Sequence, residues 1–160
     1  MDGKHPLFRD LSISYMEHFK SKGVLLNRKL EFYNSISYTI INKDQDPIQL
    51  KIHIGDIVEL PEESEGIAYA KIKSIFRHQA NNGKYYAFFL FDWFQATNVL
   101  DSMLECPLYN IQKPDESRWF RVFPITLVDH NPRVFFLYTI VGILVIPSNP
   151  SMMKEIDVIF

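Results

Sequence analysis

Five histidines (His5, His18, His53, His78, His130) and one cysteine, Cys106, are the side chains with which this 160-residue chain could hold a metal or attack a substrate. No two histidines stand at ligand spacing, and no second cysteine completes a zinc set. His78 and His130 fall in turn-like contexts that suit solvated structural roles. Asp129-His130 pairs a base with an orienting acid but has no nucleophile attached. Cys106-Pro107 reads either as a reactive thiol or, more simply, as a small buried apolar group. Asp115-Glu116, after Pro114, read as solvated carboxylates. With 6 glycines and no Gly-rich loop, the chain offers no phosphate cradle. The residues point to a non-enzyme that uses no cofactor and no metal.

The aromatic side chains are the other chemical resource: 13 Phe, 8 Tyr and 2 Trp. Such a load suits a β-rich core, because rings pack well on pleated surfaces, or an aromatic-lined recognition site. Charge excludes one large class. With 17 Lys+Arg against 19 Asp+Glu the net charge is −2, which is not the balance of a protein that grips nucleic acid by neutralising many phosphates. Lys71, Lys73, Arg77 and Lys84 gather around one hairpin, where alternate positions make them a solvated face and leave nucleic-acid binding weak at most. The lone cysteine excludes an internal disulfide, and no apolar run follows Met1–His5, so an intracellular protein without a signal peptide is expected. Val134–Ile146 is too short for a membrane span and reads as one buried strand or two short ones.

The elements that must position these residues follow from periodicity. Leu11, Tyr15 and Phe19 recur at i, i+4, i+8 with Met16 beside them, predicting a helix from near Asp10 to Gly23. Leu30, Phe32, Ile36, Tyr38 and Ile40 share one parity, which predicts a half-buried strand, and 42–47 is a polar turn. Ile57–Leu60 is a short strand stopped by Pro61, with an acidic loop over 62–66. Ala68–Phe76 is the next strand. Asn82-Gly83 supplies the positive φ angles of a tight hairpin. Tyr85–Phe94 returns antiparallel and is apolar on both parities, so it is covered on both faces. No period holds between Gln95 and Arg118. Trp119–Val128 and Val134–Ile140 are further strands, joined by a turn over 129–132. The apolar close Ile156–Phe160 reads as a strand or the stump of a longer chain.

Ile54-Gly55-Asp56-Ile57-Val58, Ala70-Lys71-Ile72 with Ile75-Phe76, and Tyr86-Ala87-Phe88-Phe89 leading into Trp93-Phe94 follow one another in order. Over just over half the chain this succession resembles the bromo-adjacent homology (BAH) domain. Ile125-Thr126-Leu127-Val128 followed by Val134 resembles that family's terminal strand pair. The resemblance implies a mainly β fold: a small antiparallel β-barrel-like domain with an N-terminal helix and short helical insertions. The β domain would span 51–141, after a helix-and-strand extension over 1–50 and before a tail over 142–160.

The resemblance further implies a non-catalytic, nuclear, chromatin-associated module that binds a histone tail or a chromatin protein. Some members of the family read methylated lysine with an aromatic cage. Carried onto this chain, Trp93 takes the cage position, with Phe94 turned to the core. The family's first wall falls on Ala68, and the ring stands one place later at Tyr69. Tyr109 would supply a third wall, and Asp101 or Glu105 the charge. An extended peptide would lie along a sheet edge, held by main-chain hydrogen bonds. Two alternatives belong to other classes. One is a structural β domain of a larger or mobile-element-derived protein, without a ligand of its own and with Trp93 buried. The other is an enzyme of which Cys106 or Asp129-His130 are remnants.

Overall fold

The computed structural model describes residues 6–21, 23–40, 47–62, 66–103, 105–113, 120–128, 135–138 and 143–146. Residues 42–46 and 63–65, Asp115-Glu116, Trp119, the turn over 129–132 and the close over 156–160 lie outside them. The protein is mainly β, with one N-terminal helix. Helix α1 (Pro6–Phe19) precedes strands β1 (Leu30–Tyr33), β2 (Ser35–Ile40), β3 (Ile48–His53), β4 (Ile57–Glu62), β5 (Gly66–Gln79), β6 (Tyr85–Leu100), β7 (Pro107–Ile111) and β8 (Val122–Pro124). A 3-10 turn (Ile125–Leu127), β9 (Phe135–Tyr138) and β10 (Ile143–Ile146) follow.

The spine is the antiparallel β5–β6 hairpin, 14 and 16 residues long. Its turn forms where Asn-Gly predicts it: Gly83 adopts φ 81°. The Gly83 amide donates to the Ala80 carbonyl, and the Ala80 amide to that of Lys84, each at 2.9 Å. β5 pairs with β4 through its first half and with β1 through its second. β6 pairs with β8 at Phe88–Leu90 and with β7 from Phe94 onward. β10 joins β7 to β9, while β2 and β3 form a separate two-stranded sheet. The path β1-β5-β6-β7-β10-β9 leaves the sheet open rather than closed into a barrel among the described residues.

Both faces of the spine are covered, as the two-parity apolar pattern of β6 requires. Phe76 and Phe88 lie under α1 with Leu11, Tyr15 and Phe8. On the other face Ile75, Phe89, Phe91 and Trp93 pack with Val58, Leu60, Ala70, Ile72 and Val128, against partly buried Ile36, Ile52 and Ile125. Helix and middle section therefore share one body. The expected tail boundary at 142 falls between β9 and β10, which pair with each other.

Several boundaries depart from the periodicity. α1 starts at Pro6, where a helix tolerates proline in its first turn, and stops at Phe19. Lys20 then takes the left-handed conformation (φ 50°), and the Ser21 amide donates to the Tyr15 carbonyl at 3.1 Å. The strand predicted across 30–40 breaks at Asn34, whose carbonyl accepts the Ile54 amide (3.1 Å) as the chain passes from one sheet to the other. β4 runs through Pro61 because it is an edge strand, where a missing amide costs no ladder bond. Part of the aperiodic stretch is the outer half of β6 and all of β7. Ile125–Leu127, predicted as strand, is a 3-10 turn entered from Pro124.

A polar tie fixes α1. His78 is fully buried, its Nδ1 2.9 Å from the Tyr15 hydroxyl and its Nε2 2.9 Å from the Asn27 carbonyl. A carbonyl can only accept, so Nε2 carries the proton and the tyrosine donates to Nδ1. Tyr15→Phe leaves that nitrogen buried without a donor. It should cost about 1–3 kcal/mol of stability, read as a lower midpoint in urea unfolding with an unchanged slope.

Candidate recognition site

Strand parity sorts the expected site residues. Trp93 is the cross-strand partner of Ala70, and both face the core away from α1. Trp93 is only 4% exposed, touches Phe91 and Phe123 edge-on, and donates its indole N–H to the Phe120 carbonyl at 2.8 Å. The structure therefore makes it a core residue with its polar atom satisfied. Phe94, next along the strand, turns to the opposite face and is also buried.

Tyr69, adjacent to Ala70, projects from the α1 side of the sheet. There it meets Tyr109: the two ring centroids are 5.6 Å apart and the planes stand at 86°. The pairings explain the meeting. Tyr109 opposes Ala96 on β6, two positions beyond Phe94, so both tyrosines lean over one strand whose Ala96 leaves room. The bulge that could have re-aimed a ring lies further along β5, between Ile72 and Ser74. Tyr69 and Tyr109 thus converge, while Trp93 lies on the other side of the sheet.

Glu59, the cross-strand partner of Tyr69, adds a carboxylate to this face. Burial pushes the Tyr69 hydroxyl above its ordinary value, and the charge of Glu59 and that of an ionising Tyr109 push in the same direction. Tyr109 is raised by burial alone. Residue types do not single out Glu59. Its place follows only from the β4–β5 register, which puts it one strand from Tyr69.

Asp101 and Glu105 sit in the turn of the β6–β7 hairpin, past the Leu100–Pro107 pair. The Asp101 carboxylate accepts the Met103 amide at 3.0 Å, and its carbonyl accepts the Glu105 amide at 2.9 Å. Glu105 takes a left-handed backbone (φ 51°) and points into solvent. These carboxylates shape the hairpin end, and Glu59 is the acid beside the tyrosines. Cys106 is half-buried in the same hairpin. No group of three or more His, Cys, Asp or Glu able to hold a metal occurs among the described residues, and no described helix is long and apolar enough to cross a membrane.

In comparison with known proteins, no family model, no curated protein and no solved structure matches this chain.

Trp93→Ala opens a cavity beside Phe91 and Phe123 and should lower stability by about 3–5 kcal/mol in urea unfolding, as a core position does. Because Tyr69 and Tyr109 hold their protons above the ordinary range when folded, their contribution to folding stability is unchanged below about pH 10 and turns unfavourable as pH rises past it, read as a falling urea midpoint. Glu59→Gln removes one of the raising influences, so the tyrosinate absorbance step that disappears in Tyr69→Phe should move to lower pH.

Proposed function

We propose that this chain is a non-catalytic protein-interaction module that binds a lysine-bearing segment of a partner at Tyr69, Tyr109 and Glu59. One observation carries the reading: two tyrosine rings at right angles, 5.6 Å apart, beside a carboxylate on a partly open sheet face. Perpendicular rings offer a cation two negative π faces at once, each worth about 0.5–2 kcal/mol, and the carboxylate adds charge attraction. A methylated ammonium suits the corner better than a bare one, because it sheds water more readily.

The BAH resemblance makes the partner a histone tail or another chromatin protein, and the compartment the nucleus. The location of the pair changes the mechanism from the one the resemblance implies. Tyr69 and Tyr109 lie on β5 and β7, so a peptide added outside β4 would be four strand spacings from Tyr109, roughly 19 Å. That exceeds the reach of one lysine stem. The peptide therefore crosses the sheet face instead of extending its edge.

Calorimetric titration of histone-tail peptides, unmodified and trimethylated at lysine, tests this. Saturable binding is expected, with Tyr109→Ala and Tyr69→Ala each weakening it about five- to tenfold, equivalent to about 1–1.4 kcal/mol per ring. Glu59→Gln should weaken it less. Binding indifferent to all three substitutions, or none at millimolar peptide, overturns the proposal.

A second reading has its own observation. Trp93, the cage position of the family, is packed and hydrogen-bonded inside the core. That arrangement suits a structural β domain without a ligand of its own. The same titration separates the two, since a purely structural domain shows no saturable peptide binding.

A further inference from the structure

At the other end of the spine, on the face that Trp93 shares, the sheet presents a different surface. Glu31 on β1 opposes Arg77 on β5, and Arg77 opposes Ala87 on β6. Tyr33 stands two positions from Glu31, and Tyr85 two positions from Ala87, so parity places Tyr33, Arg77 and Tyr85 on one face of three neighbouring strands. Ala87 opposite Arg77 leaves the guanidinium room to lie flat. Its carbon sits 4.7 Å from the centre of the Tyr85 ring and 5.9 Å from that of Tyr33.

Glu31 locks this arrangement. Its Oε2 accepts Arg77 Nε at 2.7 Å and Nη2 at 2.6 Å, and the Tyr33 hydroxyl donates to the same oxygen at 3.3 Å. The Arg77 hydrogen bond holds the Glu31 carboxyl below its usual range, so the clamp is ionised at neutral pH. Yet the clamped groups remain in water: Tyr33 is 40% exposed, Tyr85 54%, and the Arg77 side chain 45%. Lys29, whose ammonium lies 3.7 Å from Glu31, and Lys84, next to Tyr85, are exposed at its margins.

Three planar groups in a row, fixed by one carboxylate and flanked by lysines, form a stacking platform. The geometry points to a single-stranded nucleic-acid segment as its ligand, with bases stacked on Tyr33 and Tyr85 and phosphates near Lys29 and Lys84. Base–aromatic stacking is sequence-tolerant and asks for few cations. That reconciles such a site with a net charge of −2. An acidic protein segment would use the lysines but has no use for exposed aromatic rings.

Fluorescence anisotropy of the full chain with a labelled oligouridylate of about 12 nucleotides, within the usual site sizes, tests the proposal. Tyr85→Ala should weaken binding about tenfold, while Tyr85→Phe, which keeps the ring, stays within about twofold. Both substitutions fall on an exposed residue, so folding is not at stake. With about two phosphates neutralised, log Kd plotted against log salt should have a shallow slope of about 1.4. Tyr109→Ala, at the separate tyrosine pair, should leave oligonucleotide binding unchanged. The proposal is overturned if no binding occurs, if Tyr85→Ala binds like wild type, if a duplex of equal length binds as well, or if a polyglutamate peptide competes as effectively as the unlabelled oligomer.

Discussion

One extra residue in β5 decides what every other element can do. Between Ile72 and Ser74 the β5–β6 register slips, so Lys73 has no partner of its own in the ladder. Strict alternation would send Ile72 and Ile75 to opposite faces. The bulge puts both in the core with Ala70, while Phe76 and His78 turn under α1. β6 carries no matching slip along this stretch, and its Phe89, Phe91 and Trp93 alternate regularly with Phe88 and Leu90. Remove the extra residue and one half of β5 would face the wrong layer.

The bulge also marks where both edges of the spine change partners. β4 ends on one side as β1 begins further along. On the other side β8 gives way to β7 between Phe91 and Trp93: the Phe91 amide donates to the Arg121 carbonyl (2.7 Å), and the Gln112 amide to the Trp93 carbonyl (2.8 Å). Polar groups gather at this junction. Arg121 donates through Nε to the Phe91 carbonyl (3.0 Å) and through Nη2 to Asp92, and its amide reaches the buried Asp10 of α1 at 3.3 Å. Lys73 itself brings its ammonium to 3.4 Å from Asp92. Such a partly buried network adds little net stability, because desolvation offsets much of the attraction. What it contributes is register, since each charge is satisfied only when helix, bulge and strand exchange are aligned.

This explains which features were legible in the sequence. The helical stripe of Leu11, Tyr15 and Phe19, the Asn82-Gly83 hairpin and the two-faced β6 are local patterns with local causes, and the structure contains them. A single-residue bulge has no local signature, because Lys73 is an ordinary residue on either parity. β7 was hidden for another reason. The outer half of β6 is exposed at Ala96, Val99 and Leu100 alike, so neither face of that hairpin arm imposes alternation. The pairing of Tyr69 with Tyr109 spans three strands and depends on register, as does the proximity of Glu59. Trp93 was singled out by a resemblance, whereas its burial follows from sharing a parity with Phe89 and Phe91.

The aromatic load divides along a chemical line. Phe76, Phe88, Phe89 and Phe91 are completely buried, whereas Tyr33, Tyr69, Tyr85 and Tyr109 all reach the surface. A phenol ring can cover apolar neighbours while its hydroxyl stays wet, so tyrosine is the ring that survives at a boundary without stranding a polar atom. The exceptions obey the same physics. Tyr15 is buried, and its hydroxyl has His78 as a dedicated acceptor. Phe32 is exposed but lies against Phe76, with centroids 5.7 Å apart, as an edge-strand lid over the α1 layer. The phenylalanines hold the two layers onto the spine, and tyrosines bring rings to the surface at its two ends, one pair on each face.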